Sequence, residues 1–535
     1  GVITFTNGAT LEANEVVLTR STIGNDNPGT INMTSGGTLR TGSLVAGQGA
    51  ATWTPGTGTV VLTATSTLPA SAFTSFNNLI LEPSIVVTSG RSFAVTGTMT
   101  VNGQFIPGNT AHVVSGSGTL TGNGIIDVTL TGATALTSQY SIGNRNLSSL
   151  SVEYVGNGNQ TIHSTTYGHL VTGISGTKTL GGPVAVEGNV TIGAGTTLSA
   201  GSNQEISVKG NWTNNGTFSP VTGAVTFNGT ASQQLSGNNN FYDLLVTNSS
   251  ANIMLSAGAI IRVANLFSPN GTSFGNMTGS TIDFNGNNQN IPAFNFFNLA
   301  INGGGSKTLT GAVTVDGELN LVSGLVTLGN FDLTINAASP AAITGGSVAG
   351  YIVTNGTGLL NRTVGGAGDY SMPLGSAAAY NPIGFNWSAN PGITGLSGRY
   401  IAETASFGTG LPFTVFGCLT GSGLLNNGYW TIAANGTLAS NPAVSVTRRG
   451  HTNAGPRNST HGVVRRSNAS EDWSMAGIYT DTDNTLIAPV STGPVALIQQ
   501  QLDAFGELAI GIGAGQASIG IWTGNVSETA DMASN

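Results

Sequence analysis

The sequence predicts an all-β protein with very little helix. Parallel β-helix or β-solenoid-like repeats are expected over residues 1–340, an antiparallel β-sandwich module over 341–515, and a tail or the start of a next module over 516–535. Three observations carry this expectation. Only 7 % of the 535 residues are charged while 80 are glycine, where ordinary soluble domains hold about 25 % charge and about 7 % glycine. Hydroxyls and amides must therefore solvate the surface. Apolar residues make up 39 % and are spread evenly, enough to bury a core, so disorder is not the expected state. They come in short alternating runs: Val313-Thr314-Val315, Leu319-Asn320-Leu321, Leu325-Val326-Thr327-Leu328 and Leu333-Thr334-Ile335, cut by Asp316-Gly317, Ser323-Gly324 and Gly329-Asn330. Strands this short do not stand alone as hairpins, but they suit rungs that bury a narrow core by stacking.

The repeats themselves align. Four stretches share an aromatic or Leu strand end, a polar loop often holding Gln, and an aromatic followed three residues later by Leu: Leu62 to Phe76 and Leu79; Tyr154, Gln160, Tyr167 and Leu170; Phe227, Gln233, Phe241 and Leu244; Phe284, Gln289, Phe296 and Leu299. Strand end and aromatic lie 14, 13, 14 and 12 residues apart, a range narrow enough to mark true repetition. Two copies run on in parallel, with Thr177-Lys178-Thr179-Leu180 before Val184-Ala185-Val186 and Ser306-Lys307-Thr308-Leu309 before Val313-Thr314-Val315. The aromatic positions Phe76, Tyr167, Phe241 and Phe296 are separated by 91, 74 and 55 residues, so insertions are expected between rungs.

Near residue 340 the pattern changes. Ala337-Ala338-Ser339-Pro340-Ala341-Ala342 reads as a junction, and longer alternating strands follow at Tyr429-Trp430-Thr431-Ile432, Val444-Ser445-Val446-Thr447, Met475 to Tyr479 and Leu508 to Ile512. Their wider spacing predicts the antiparallel sandwich. Val495 to Phe505 fits a short helix or a strand and turn equally well.

The runs Gly210-Asn211-Trp212-Thr213-Asn214-Asn215-Gly216-Thr217-Phe218, Val225 to Thr230, Lys307-Thr308-Leu309, Tyr351 to Leu359, Met372-Pro373-Leu374-Gly375 and Trp522 to Ser527 resemble the repetitive Gly/Thr/Asn-rich secreted surface proteins of Bacteroidetes-type bacteria. The resemblance implies a large, adhesin-like chain of the kind commonly exported by the type IX secretion route, and it brings no catalytic residue to transfer. The departure from that family is the absence of a C-terminal sorting domain, which implies cleavage on export or a segment of a longer polypeptide.

Composition also narrows the function. A net charge of −8 argues against nucleic-acid partners, no apolar run is long enough to predict a membrane span, and Cys418 as the single cysteine excludes a disulfide framework or a Cys-based zinc site. Val2-Ile3-Thr4-Phe5 opens the chain without a basic and apolar leader, so a signal peptide is expected to have been removed or to lie outside it. Few Lys residues and abundant Thr, Asn and Gly point to an extracellular, bacterial cell-surface location.

Few motifs in the chain have chemical content. Gly271-Thr272-Ser273-Phe274-Gly275 matches G-x-S-x-G but lacks a strand-to-helix context and reads as a turn. Gly365-Gly366-Ala367-Gly368-Asp369 reads as a hairpin turn, not a calcium nonapeptide. His163 and His169 have no Glu between them and do not form a zinc motif; Glu471-Asp472 is not assignable as an acid/base pair. Asp481, Asp483 and Asn484 offer oxygens to Ca²⁺, the one cofactor the sequence suggests, although Leu486 and Thr492 stand where an EF-hand needs Gly and Glu. Arg448, Arg449, Arg457, Arg465 and Arg466 gather five of the 15 cations within a short stretch. If Val446 to Arg449 and Val463 to Arg466 pair as a hairpin, their guanidiniums share an edge suited to an acidic glycan. The bland alternative is an edge that discourages strand pairing, or salt bridges to Glu471, Asp472, Asp481 and Asp483.

The expected function is non-enzymatic: an extracellular structural protein, a subunit of a cell-surface fibre, sheath or stalk. Self-association head to tail by strand addition is expected at the terminal apolar segments, Val2, Ile3 and Phe5 at one end and Ile519, Ile521 and Trp522 at the other. The alternative is a monomeric adhesin module binding acidic glycans through the arginine cluster, and the third is a β-helix polysaccharide-degrading enzyme, for which the solenoid half holds few charges.

Overall fold

The computed structural model describes residues 1–19, 28–49, 51–248, 253–405, 413–415, 419–453, 461–477, 493–499 and 501–514. It is 54 % strand and 2 % helix, and its main architecture is a parallel β-solenoid of about 16 turns. The chain divides into two compact units, Gly1–Ser280 and Thr281–Asn535. No helix among the described residues is long and apolar enough to cross a membrane.

In the first unit, one parallel sheet of ten strands runs from Ser66–Leu68 to Ile253–Leu255. The period of two decides which side chains are inside. Val184–Val186, Ile206–Val208 and Ala224–Phe227 pair in register, so Val184, Ile206 and Val225 form one buried column and Val186, Val208 and Phe227 another. Between them Ala185, Ser207 and Thr226 stack facing outward. The repeat seen in the sequence is the corner between two faces. Phe76, Tyr167, Phe241 and Phe296 close one side of the corner and Leu79, Leu170, Leu244 and Leu299 open the next, and all eight are buried. Trp212 joins the same interior, with ring centroids 5.0 Å from Phe218 and 5.8 Å from Phe241. Corners stack so closely that glycine is required: a Cβ on Gly210 would lie 2.5 Å from the Gly188 carbonyl carbon one turn back.

The second unit starts with the same construction. Phe294–Phe296, Val313–Val315, Leu333–Ile335 and Leu360–Thr363 form successive parallel pairs. Parallel pairing does not stop at 340; it continues through Gly350–Val353 to Leu374–Gly375. The Ala/Pro run that reads as a junction is a 3₁₀ turn at Pro340–Ala342, capped by the Ser339 hydroxyl, and Ile343–Gly345 after it pairs parallel with Leu319–Leu321. Its composition marks one more corner.

The change of direction comes at Leu360–Thr363, whose second edge takes Ile393–Ile401 antiparallel. That sheet continues through Tyr429–Gly436 to Gly506–Ala514, which also pairs His461–Arg466. A second antiparallel sheet orders Gly368–Met372, Ile383–Trp387, Ala443–Arg448 and Val495–Gln499. Val495 to Phe505, whose sequence fits helix or strand, therefore holds a strand at Val495–Gln499. Buried Val495, Leu497 and Gln499 alternate there with Ala496 and Ile498.

Candidate functional site

The arginine cluster is the densest charge in the chain, and the structure separates it. Arg448 ends a strand of the four-stranded sheet, whereas Arg465 and Arg466 lie on His461–Arg466 in the other sheet. The expected hairpin does not form, because the two strands belong to different sheets. Arg448 is fully buried: its two Nη atoms donate to the carbonyls of Arg449 (2.9 Å) and Asn426 (2.6 Å), and its guanidinium lies 5.1 Å from the Tyr400 ring centroid. Burial lowers its pKa from the ordinary arginine value. Arg466 is buried too, donating to Glu507 at 2.6 Å and lying 4.5 Å from the Trp473 ring centroid.

The two remaining described members are half-buried. Arg449 donates to the Tyr380 carbonyl at 2.8 Å and covers that ring at 5.4 Å. Arg465 approaches Asp503 at 3.6 Å. Asp503 and Glu507 are thus acidic partners of the cluster; Asp481 and Asp483, expected from the sequence, lie outside the described residues. Arg457 lies outside the described residues. Sequence reasoning missed a further member of the class, Arg362, which donates to the carbonyls of Ser371 and Pro340 at 2.5 and 3.0 Å and lies 4.8 Å from the Tyr370 ring centroid. Burial pulls its pKa down to about 10.

Buried polar side chains also line the solenoid corners. The Gln233 amide donates to Val208 and Gly210 carbonyls (3.0 and 2.7 Å) and accepts from the Gly229 amide at 2.9 Å. Gln160 repeats the arrangement on Val128, Leu130 and Gly156. In register with it, Lys178 donates its ammonium to the Gly156 and Gly158 carbonyls at 2.7 and 2.8 Å. Lys307, in register with Gln289, reaches Gly286, Asn287 and Gly304 in the same way. Burial pulls both lysines down to about 8, while the carbonyls around them favour the charged form. The sequence did display these residues at repeating positions. What it could not show is that they face inward, since Gln and Lys are ordinarily surface residues.

The other sequence candidates are placed as follows. Gly271 to Gly275 lies in an irregular loop after Ile260–Ser268, with no helix after it. Gly365 to Gly368 connects strands of two different sheets, so it is a corner and not a hairpin turn; the amides of Gly365 and Gly366 donate to the Tyr370 hydroxyl. His163 is tied by its backbone to the Tyr154 and Tyr167 hydroxyls, and His169 Nδ1 accepts from the Asn189 amide at 2.9 Å. Asp481, Asp483 and Asn484 lie outside the described residues. Among the described residues no group of three or more His, Cys, Asp or Glu is placed to hold a metal ion.

At the first rung, Val2 and Ile3 are 68 % and 46 % exposed. Phe5 is not available for a subunit contact: it is buried against Gly37, where a Cβ would meet its ring at 2.8 Å. Among the described residues, Val2–Thr4 pairs with Thr30–Asn32 alone and Thr10–Leu18 with Thr38–Ala46 alone, so each has one open edge. Ile519, Ile521 and Trp522 lie outside the described residues.

No family model matches this chain, and neither does any curated protein or solved structure.

Proposed function

We propose that this chain is a non-enzymatic structural protein outside a bacterial cell, part of a surface fibre, sheath or stalk. The observation that carries the reading is the axial stacking. A ladder of ten parallel strands in the first unit extends roughly 45 Å along the stack at about 4.8 Å per strand. The charged and amide groups buried along the turns bond to the chain's own carbonyls, which suits a load-carrying element. Few charges on a Thr/Asn/Gly surface favour close lateral packing.

The proposed assembly is head to tail. The open edge of Val2–Thr4, with Val2 and Ile3 exposed, accepts a strand from the segment holding Ile519, Ile521 and Trp522 of the next copy. Electron microscopy of the purified chain over a concentration series, without added ligand, is expected to show filaments whose axial repeat matches one subunit. Dispersed particles at every concentration would remove the polymer. Deleting residues 516–535 should stop growth, and undiminished filaments would exclude that tail as the donor. Among the described members the acidic-glycan alternative is left with Arg449 and Arg465, since Arg448 and Arg466 are spent inside the fold.

A further inference from the structure

The four-stranded antiparallel sheet of the second unit has one buried and one open face. Tyr370, Phe385, Val444 and Gln499 are buried register partners on the inner side. On the outer side the aligned partners are Ser371, Gly384, Ser445 and Ile498, and beside them Asp369, Asn386 and Ala443. Asp369, Asn386 and Ser445 are exposed. At Gly384 the missing side chain opens a floor: a Cβ there would lie 2.7 Å from the Ser445 hydroxyl and 3.7 Å from an Asp369 carboxylate oxygen, so both oxygens converge over one point.

Around that point is a depression of about 200 Å³, lined by Asp369, Ser371, Tyr380, Gly384, Ser445 and Thr447 among others. A second depression of about 530 Å³ lies on the same sheet, lined by Asn386, Ser388, Ser440, Asn441, Ala443 and Gln501 among others. The register pair Asp369 and Asn386 joins the two. Gln501 is held at φ 55°, a left-handed conformation uncommon for a residue with a side chain.

We propose that this face binds a neutral polysaccharide chain. Hydroxyls and amides converge on one track with a single carboxylate, that of Asp369, which makes no side-chain hydrogen bond or ion pair among the described residues and acts on the buried Arg362 only through space. A carboxylate accepts from two neighbouring sugar hydroxyls at once, while amides both donate and accept, the pairing that a polyhydroxylated ligand requires. An anionic glycan would meet Asp369 with repulsion. A peptide would find no apolar pocket for its side chains, and one carboxylate is too few for a calcium site of six to eight oxygens. The inference is independent of polymerisation, and Arg449 of the arginine cluster touches the depression only through Tyr380, whose carbonyl and ring it holds.

The test uses the full chain in native gels cast with soluble neutral polysaccharides (xylan, mixed-linkage β-glucan, galactomannan) or anionic ones (alginate, pectate). Retardation is expected in at least one neutral gel and should persist at about 0.5 M salt, where charge-driven binding is screened. Asp369→Ala and Asn386→Ala, both at exposed positions, should each weaken it about tenfold. Arg40→Gln, in the first unit, should leave it unchanged. Migration unaffected by every neutral polysaccharide, or retardation only in anionic gels, would overturn the proposal. So would neutral binding that both Asp369→Ala and Asn386→Ala leave intact.

Discussion

The solenoid turns and the antiparallel sheets both bury polar side chains, but different ones. Along the turns the long ones include Gln160, Gln233, Lys178 and Lys307; in the sheets Gln499 is joined by three guanidiniums, Arg362, Arg448 and Arg466. The difference follows from topology. A parallel stack presents the same corner at the same height in each turn, so a linear amide or ammonium from one strand meets carbonyls one turn back. Gln160 and Lys178, in register on neighbouring turns, do this twice in succession. Antiparallel sheets end their strands at irregular places. A planar guanidinium with five donors reaches several stray carbonyls at once and lies flat on a ring, as Arg362 does on Tyr370. In a chain with few charges, a charge cluster is thus as much a packing device as a binding surface.

The contrast is broken most strongly at Arg466. Arg466→Met leaves Glu507, largely buried, without its guanidinium, and should cost about 3–5 kcal/mol in denaturant unfolding followed through Trp473. The double change Arg466→Met with Glu507→Leu should recover most of that loss. A loss below about 1 kcal/mol in the single variant would mean the pair behaves like a surface one. Gln233→Leu should come next, at about 2–3 kcal/mol, because two carbonyls and one amide lose their partner together. Its neighbour Gln234 faces solvent, and Gln234→Leu should stay within about 0.5 kcal/mol. Equal effects at the two positions would refute the inward corner role.

Titration sharpens the comparison further. Lys178 and Lys307 sit at about 8 in the fold against roughly 10.4 in an unfolded chain. Between those values the unfolded state holds more protons, so their contribution makes stability rise with pH; as pH falls through 8, that contribution is lost. Tyr154 and Tyr400, pushed up to about 12 by burial, act oppositely. Their contribution is whole below roughly pH 10 and is lost as pH climbs through 12. Stability should therefore climb from pH 8 to about 10 and then decline. Replacing both lysines by Met should flatten the climb and spare the decline, as followed by denaturant midpoints across the range.

Much of the fold was legible because it is written in period and repetition. The period-two runs placed the strands, and the recurring aromatic with Leu three residues later proved to be the corner, as at Tyr167 and Leu170. The end of the parallel region was not legible, because Pro340–Ala342 has the composition of a linker while serving as a corner. Strand direction is equally silent in a period of two, so nothing in Leu360–Thr363 announces a parallel neighbour on one edge and an antiparallel one on the other. The arginine cluster was visible as a cluster in sequence, but its division between two sheets depends on pairing across dozens of residues. Gly384 was unreadable as a floor, since its meaning lies in Ser445 and Asp369 on neighbouring strands.

Charge pairs on the outside of the turns should matter little. Lys209 and Glu187 form an ion pair at 2.7 Å across adjacent rungs, with side chains 46 % and 40 % exposed. Unlike Lys178, this lysine keeps its water, so its charge is neither costly to hold nor worth much when paired. Lys209→Ala should change stability by less than about 1 kcal/mol, and salt should shrink that difference. Lys178→Ala, compared in the same buffers, should show a larger loss that salt barely alters, because its partners are carbonyls inside the stack. If the two lysines responded alike to salt, the division between inner corners and outer rungs would not describe how this solenoid uses its few charges.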